Sequence, residues 1–134
     1  MSAFRLQIVT PDGGIFDGEA EALRLRTTDG YVSIRPDHAD YIATLDIGQA
    51  DVTIDGTLRK AACGGGFLSV EKGSVRLVAT SFEYAENIDT DRANRSKERA
   101  EATLNASKEE KDIRLAKARL SRALNRLRIA GALK

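Results

Sequence analysis

The chain has 134 residues, 42% hydrophobic and 31% charged, the composition of a folded globular protein. No apolar run approaches the roughly 18 residues that would span a bilayer. A single cysteine, Cys63, and a single histidine, His38, exclude an internal disulfide and a His-rich metal site.

The formal net charge of +1 hides an asymmetry. Residues 1–87 carry 13 acids and 8 bases, whereas residues 88–134 carry 7 acids and 13 bases. The stretch 113–134 has seven bases and no acidic side chain. The two parts therefore have different electrostatic jobs. The opening Met1-Ser2-Ala3-Phe4-Arg5 lacks the basic-then-apolar plan of a secretory signal, which makes a cytoplasmic location the expectation.

Period-two alternation begins at once. Phe4, Leu6 and Ile8 alternate with Arg5, Gln7 and Val9, as in a strand with one buried face. Leu23 and Leu25 follow with Arg24 and Arg26, then Val52 and Ile54 among Asp51, Thr53 and Asp55, then Val75, Leu77 and Ala79 around Arg76 and Val78. Asp-Gly pairs at 12–13, 17–18, 29–30 and 55–56 read as turns, and Asp55-Gly56 as a hairpin turn. Many short strands at this spacing predict a sandwich or barrel over residues 1–86. Cys63 reads as a buried strand-end thiol, and Gly64-Gly65-Gly66 as a turn or a close backbone approach.

From about Asp89 the pattern changes. No proline occurs and no glycine until Gly131, and Ala, Arg, Lys, Glu and Leu dominate, which predicts helix over most of residues 87–134. Asp89 or Thr90 supplies the N-cap, and a break falls near Asn105-Ala106-Ser107-Lys108. Ile113, Ala116, Leu120, Ala123, Leu127 and Ala130, with Leu124, form an apolar seam suited to a partner helix. The first helix has only Ala93, Ala100 and Leu104, interrupted by Lys97. So little large apolar surface predicts a tail whose conformation depends on where it docks.

Catalytic readings find little support. There is no Walker-type loop, and His38 has no nucleophile motif beside it, so it reads as a loop-ordering residue. What remains is cationic. Arg92, Arg95 and Arg99 form a row on the first helix; Arg114, Lys117, Arg119, Arg122, Arg126 and Arg128 line the second. If the helices fold back antiparallel the rows converge, and converging guanidiniums suit a polyphosphate. A solvated face, a nucleic-acid surface and docking onto an acidic partner are the alternatives on composition. Against nucleic acid stand the absence of aromatics after Tyr84 and of a binding motif.

Four segments carry a resemblance. Phe4-Arg5-Leu6-Gln7-Ile8-Val9-Thr10-Pro11-Asp12-Gly13, Asp29–Ala39 with Pro36-Asp37-His38-Ala39, Gly65-Gly66-Phe67-Leu68-Ser69-Val70, and Ile88-Asp89-Thr90-Asp91-Arg92-Ala93 stand in the order found in epsilon subunits of F-type ATP synthases. The chain resembles that family over essentially its whole length. The resemblance implies an antiparallel β-sandwich of about ten strands followed by a mobile helical hairpin, in a coupling subunit that is not an enzyme. It implies contacts of the sandwich with the gamma subunit and the c-subunit ring, with Asp29, Tyr31 and His38 on a loop facing the c-ring or gamma. It further implies inhibition of ATP hydrolysis by the tail, which meets the alpha/beta catalytic subunits, with Arg114, Lys117, Arg119 and Arg128 docking onto beta. No cofactor is required. ATP is the expected regulatory ligand, at Glu83, Asp89, Arg92, Arg99, Arg122 and Arg126. Membrane contact would come only through the complex, at the cytoplasmic face of the plasma membrane. The family's usual Pro-Gly-His-Ala-Pro is here Pro36-Asp37-His38-Ala39-Asp40, and its Gly-Ile-Leu-Pro is Ser33-Ile34-Arg35-Pro36. A free-standing nucleotide-sensing or nucleic-acid-binding module is the competing expectation.

Overall fold

The structure is a computed structural model describing residues 2–132. It divides into two compact units, the first ending at Tyr84 and the second beginning at Ala85.

The first unit contains eight strands: β1 (Phe4–Thr10), β2 (Gly13–Ala20), β3 (Ala22–Thr27), β4 (Gly30–Ile34), β5 (Tyr41–Ile54), β6 (Thr57–Glu71), β7 (Ser74–Ala79) and β8 (Phe82–Tyr84). Hydrogen bonding runs β2-β1-β7-β6-β5-β3-β4, with β8 also on β6. The count is eight and not about ten because β5 and β6, 14 and 15 residues long, each serve two layers. Their pairing is interrupted between Leu45↔Gly66 and Ile47↔Gly64. Before that point β5, with the end of β6, joins β7, β1 and β2. Beyond it, β5 and the start of β6 join β3, β4 and β8.

Alternation does what it predicts. Leu6, Ile8, Leu68, Val70 and Leu77 from the first layer meet Leu23, Leu25, Ile34 and Val52 from the second in one core. The pairing is antiparallel except for β1 on β7, which is parallel. Those two strands are joined through most of the unit and not by a hairpin, so no short turn dictates their direction.

Turns follow the glycines with two exceptions. Asp55-Gly56, both at positive φ, close the β5–β6 hairpin as a two-residue type I′ turn. Asp17-Gly18 is not a turn; it lies inside β2, with Gly18 opposite Leu6. Nor does the triple glycine turn. It lies within β6, and at Gly66 (φ 136°) a side chain would meet the Val78 carbonyl oxygen and, at 2.8 Å, the Ala79 Cα. Close approach of β7 is thus the reason for the glycine. Cys63 is buried and mid-strand, not at a strand end.

In the second unit a 3₁₀ turn (Ala85–Asn87) precedes α1 (Thr90–Ala106) and α2 (Glu110–Ile129). Asp89 is the N-cap: its carboxylate accepts from the Arg92 N–H at 3.0 Å. Ser107 ends α1, its N–H donating to the Thr103 carbonyl. The helices pack through small residues, with Ala93 and Ala100 buried on α1 and Ala116, Ala123 and Leu127 on α2. Among the largest fully buried side chains of the described residues, Leu127 alone belongs to the helices. Most of the hydrophobic stabilisation therefore sits in the sandwich.

Candidate functional site

Two surfaces carry functional geometry, one on each unit. On the first layer of the sandwich, the strand positions facing away from the core are not uniformly polar. Val9 stands opposite Val78, Val78 opposite Phe67, and Phe67 opposite Thr44. Ile42 lies two residues along β5 from Thr44 and therefore on the same face. Phe67 is 46% exposed and Ile42 78% exposed. The result is an apolar row across four strands, flanked by Gln7, Arg76 and Ser69 in the adjoining register. Contiguous apolar surface of this kind on a folded domain marks an interaction site. Sequence reasoning did not single out this row. Its signal was present in the alternating runs, where Val9 and Val78 occupy positions that should be polar.

The residues expected near a ring-facing loop occupy two places. Asp29 and Tyr31 are at the β3–β4 turn, while His38 follows the other end of β4. The Arg24 guanidinium lies over the Tyr31 ring at 4.2 Å, a cation–π contact. Asp29 donates its N–H to the Thr27 hydroxyl at 3.0 Å. His38 Nδ1 lies 2.7 Å from the Ala39 carbonyl oxygen and acts there as donor, and its ring meets Tyr41 edge-on at 5.8 Å. The two His38 contacts order the loop in which it lies.

In the helical unit, Ser96, Arg99, Ala100 and Thr103 of α1 face Ala116 and Arg119 of α2 across a cleft of about 260 Å³. Ala100 and Ala116, both buried, are among its lining residues. Arg99 is steadied by its Nε, which donates to the Arg95 carbonyl at 3.4 Å, and the Thr103 hydroxyl donates to the Arg99 carbonyl at 3.1 Å. The volume is close to the roughly 300 Å³ at which small-molecule pockets begin.

The cleft brings Arg99 together with Arg119, for which the resemblance implies different partners, ATP for Arg99 and the beta subunit for Arg119. Arg122 and Arg126 are half-buried on α2, and Arg92 is exposed on the first turn of α1. Asp89 is engaged as a helix cap. Glu83 stands on β8 opposite Ala62, in the sandwich unit. Arg114, Lys117 and Arg128 are exposed on α2.

Burial pushes the Cys63 thiol up from its ordinary 9.0, against a weaker lowering by the Gly65 carbonyl contact. A buried, protonated thiol on the core side of β6 is unreactive. Among the described residues no cluster of His, Cys, Asp and Glu could hold a metal ion. Nor is any helix long and apolar enough to cross a membrane.

A β-sandwich followed by a basic two-helix hairpin is the class of chain that the fold defines. Comparison with known proteins gives the class its family. Residues 3–85 match the ATP synthase, Delta/Epsilon chain, beta-sandwich domain, and residues 86–131 the corresponding long alpha-helix domain. The ATP synthase epsilon chain of Bacillus velezensis is 41% identical over 131 residues, 98% of this chain and 99% of that one. The epsilon chain of Ruminococcus albus is 40% identical over 97% of this chain and 98% of its own length. The chain belongs to the ATP synthase epsilon family, whose members are coupling subunits and not catalysts.

Solved structures repeat the fold. A chain of the Euglena gracilis mitochondrial ATP synthase OSCP/F1/c-ring superposes with a TM-score of 0.75 at 22% identity, covering 90% of this chain and 77% of that one. A chain of the Tetrahymena thermophila ATP synthase central stalk/c-ring gives 0.64 at 13% identity, covering 94% and 95%.

Proposed function

We propose that this chain is a rotor subunit of the central stalk, fastened to a gamma subunit through the apolar row Val9, Val78, Phe67 and Ile42. The observation that carries this reading is the row itself, which leaves Ile42 largely exposed at the end of a strand. Full burial of such a side chain stabilises by about 1.5–3 kcal/mol, so covering the exposed part of Ile42 and of Phe67 is worth roughly 2–4 kcal/mol together. Ile42→Ser/Phe67→Ser should therefore weaken binding to a synthase core depleted of this subunit by about 30-fold or more, with the fold intact by circular dichroism. Binding within twofold of the parent chain would remove the row from the interface.

Contact with the c-ring falls to the loops around Asp29, Tyr31 and His38, placing the subunit peripherally at the cytoplasmic face of the membrane. The basic helices act as the regulatory part. Their exposed bases Arg114, Lys117 and Arg128 suit acidic surfaces of the alpha/beta catalytic subunits, and tail engagement there restrains ATP hydrolysis. ATP serves as regulatory ligand of the closed hairpin, with its phosphates at Arg99 and Arg119. Arg92, Arg122 and Arg126 contribute further charge, and Asp89 holds the helix that presents them. To move a 1:99 balance to 99:1 a ligand needs about 5.5 kcal/mol of differential binding, so modest ATP affinity biases the tail without locking it. Calorimetry of the full chain with ATP, repeated on Arg99→Ala/Arg119→Ala, tests the ligand. Truncation after residue 88 in the assembled synthase should raise ATP hydrolysis, and an unchanged rate would refute tail inhibition.

A further inference from the structure

Asp40 stands immediately before β5, and its carboxylate accepts the backbone N–H of Lys72 at 2.9 Å. Lys72 and Gly73, at φ 50° and 79°, are the two residues of the β6–β7 turn. In such a turn the N–H of the first residue points away from its own hairpin and must find an acceptor elsewhere. The bond therefore ties the start of β5 to the tip of the neighbouring hairpin. It lies just beyond Tyr41↔Val70 and Ile42↔Ser69, the last pairs of the β5–β6 ladder. Terminal pairs are where strands open most readily. Ile42, the most exposed large apolar side chain among the described residues, sits on one of them.

The geometry points to Asp40 as a positioning residue for partner docking: its carboxylate latches the end of the β5–β6 ladder and holds Ile42 in the docking row. This inference rests on the docking reading above. A preorganised interface side chain spares the ordering cost at association.

The test uses the full chain with Asp40→Ala and Asp40→Asn, read by amide hydrogen exchange at Lys72, Tyr41 and Ile42 and by affinity for the subunit-depleted synthase core. Asp40→Ala should speed exchange at these amides and weaken core binding by about three- to tenfold, the scale of one lost hydrogen bond. Asp40→Asn keeps an acceptor oxygen and should restore most of both. Unchanged exchange in Asp40→Ala means there is no latch. Faster exchange with unchanged affinity means the latch does not position the docking row, and an Asn variant as impaired as Ala rejects the hydrogen bond as the cause. Failure of the docking reading is separable: there, Ile42→Ser/Phe67→Ser would bind normally while Lys72 exchange still responded to Asp40.

Discussion

Replacing Gly66 with alanine is a direct trial of how the sandwich is closed. The new methyl would meet the Val78 carbonyl oxygen, with the Ala79 Cα at 2.8 Å and the Val78 carbonyl carbon at 3.0 Å, all backbone of β7. None of these can swing aside without breaking the pairs Gly66↔Ala79 and Phe67↔Val78. Overpacking of this kind costs about 1–3 kcal/mol, and holding a non-glycine residue at φ 136° a further 1–3 kcal/mol or so. Against a total stability on the order of 5–15 kcal/mol, Gly66→Ala should lower the melting temperature by roughly 10 °C or more. Gly64→Ala offers a built-in contrast. Its obstacle is the Ser81 hydroxyl, while the Ser81 Cβ and N stand at 3.4 Å. Removing that hydroxyl with Ser81→Ala should recover most of the loss from Gly64→Ala and none of the loss from Gly66→Ala. A double-mutant cycle on thermal or denaturant unfolding would show about 1 kcal/mol or more of coupling for the first pair only. Gly66→Ala melting within 2 °C or so of the parent, or rescued equally by Ser81→Ala, would refute the close-approach account.

Three further outcomes are expected. Asp89→Ala should cost about 1 kcal/mol through loss of the α1 cap, whereas Asp89→Ser should stay within a few tenths; equal losses in exchange protection of α1 would mean the carboxylate serves something other than capping. Asp37, at φ 65°, holds a left-handed conformation that favours glycine. Asp37→Gly should be neutral or stabilising by up to about 1 kcal/mol and Asp37→Val destabilising by about 1–2 kcal/mol, read from denaturant midpoints. The Cys63 thiol is raised by burial above its unfolded value of 9.0, so its contribution to stability is complete below pH 9.0 and declines as pH rises toward the folded value. Cys63→Ala should flatten that alkaline decline, and an unaltered slope would assign it to other groups.

Much of this was legible from residue order because it depends on local rules. Phe4, Leu6 and Ile8 declared a buried face by alternation, Asp55-Gly56 a two-residue turn, and Asp89 or Thr90 a helix cap, of which the structure takes Asp89. Where local rules failed, a distant strand decided. Asp17-Gly18 became strand because β1 pairs along it, and the triple glycine stayed strand because β7 needs the space. Eight strands in place of about ten reflect two long strands that bend between layers, a matter of pairing and not of propensity.

The site divides along the same line. By itself the sequence determined a sandwich of alternating strands, a helical basic tail and the family to which they belong. Only tertiary structure set Arg99 beside Arg119 and aligned Val9, Val78, Phe67 and Ile42 into one row. The reason is physical: periodicity tells a residue which face of its own element it occupies, but not which element lies beside it. That neighbour is chosen by long-range pairing and packing.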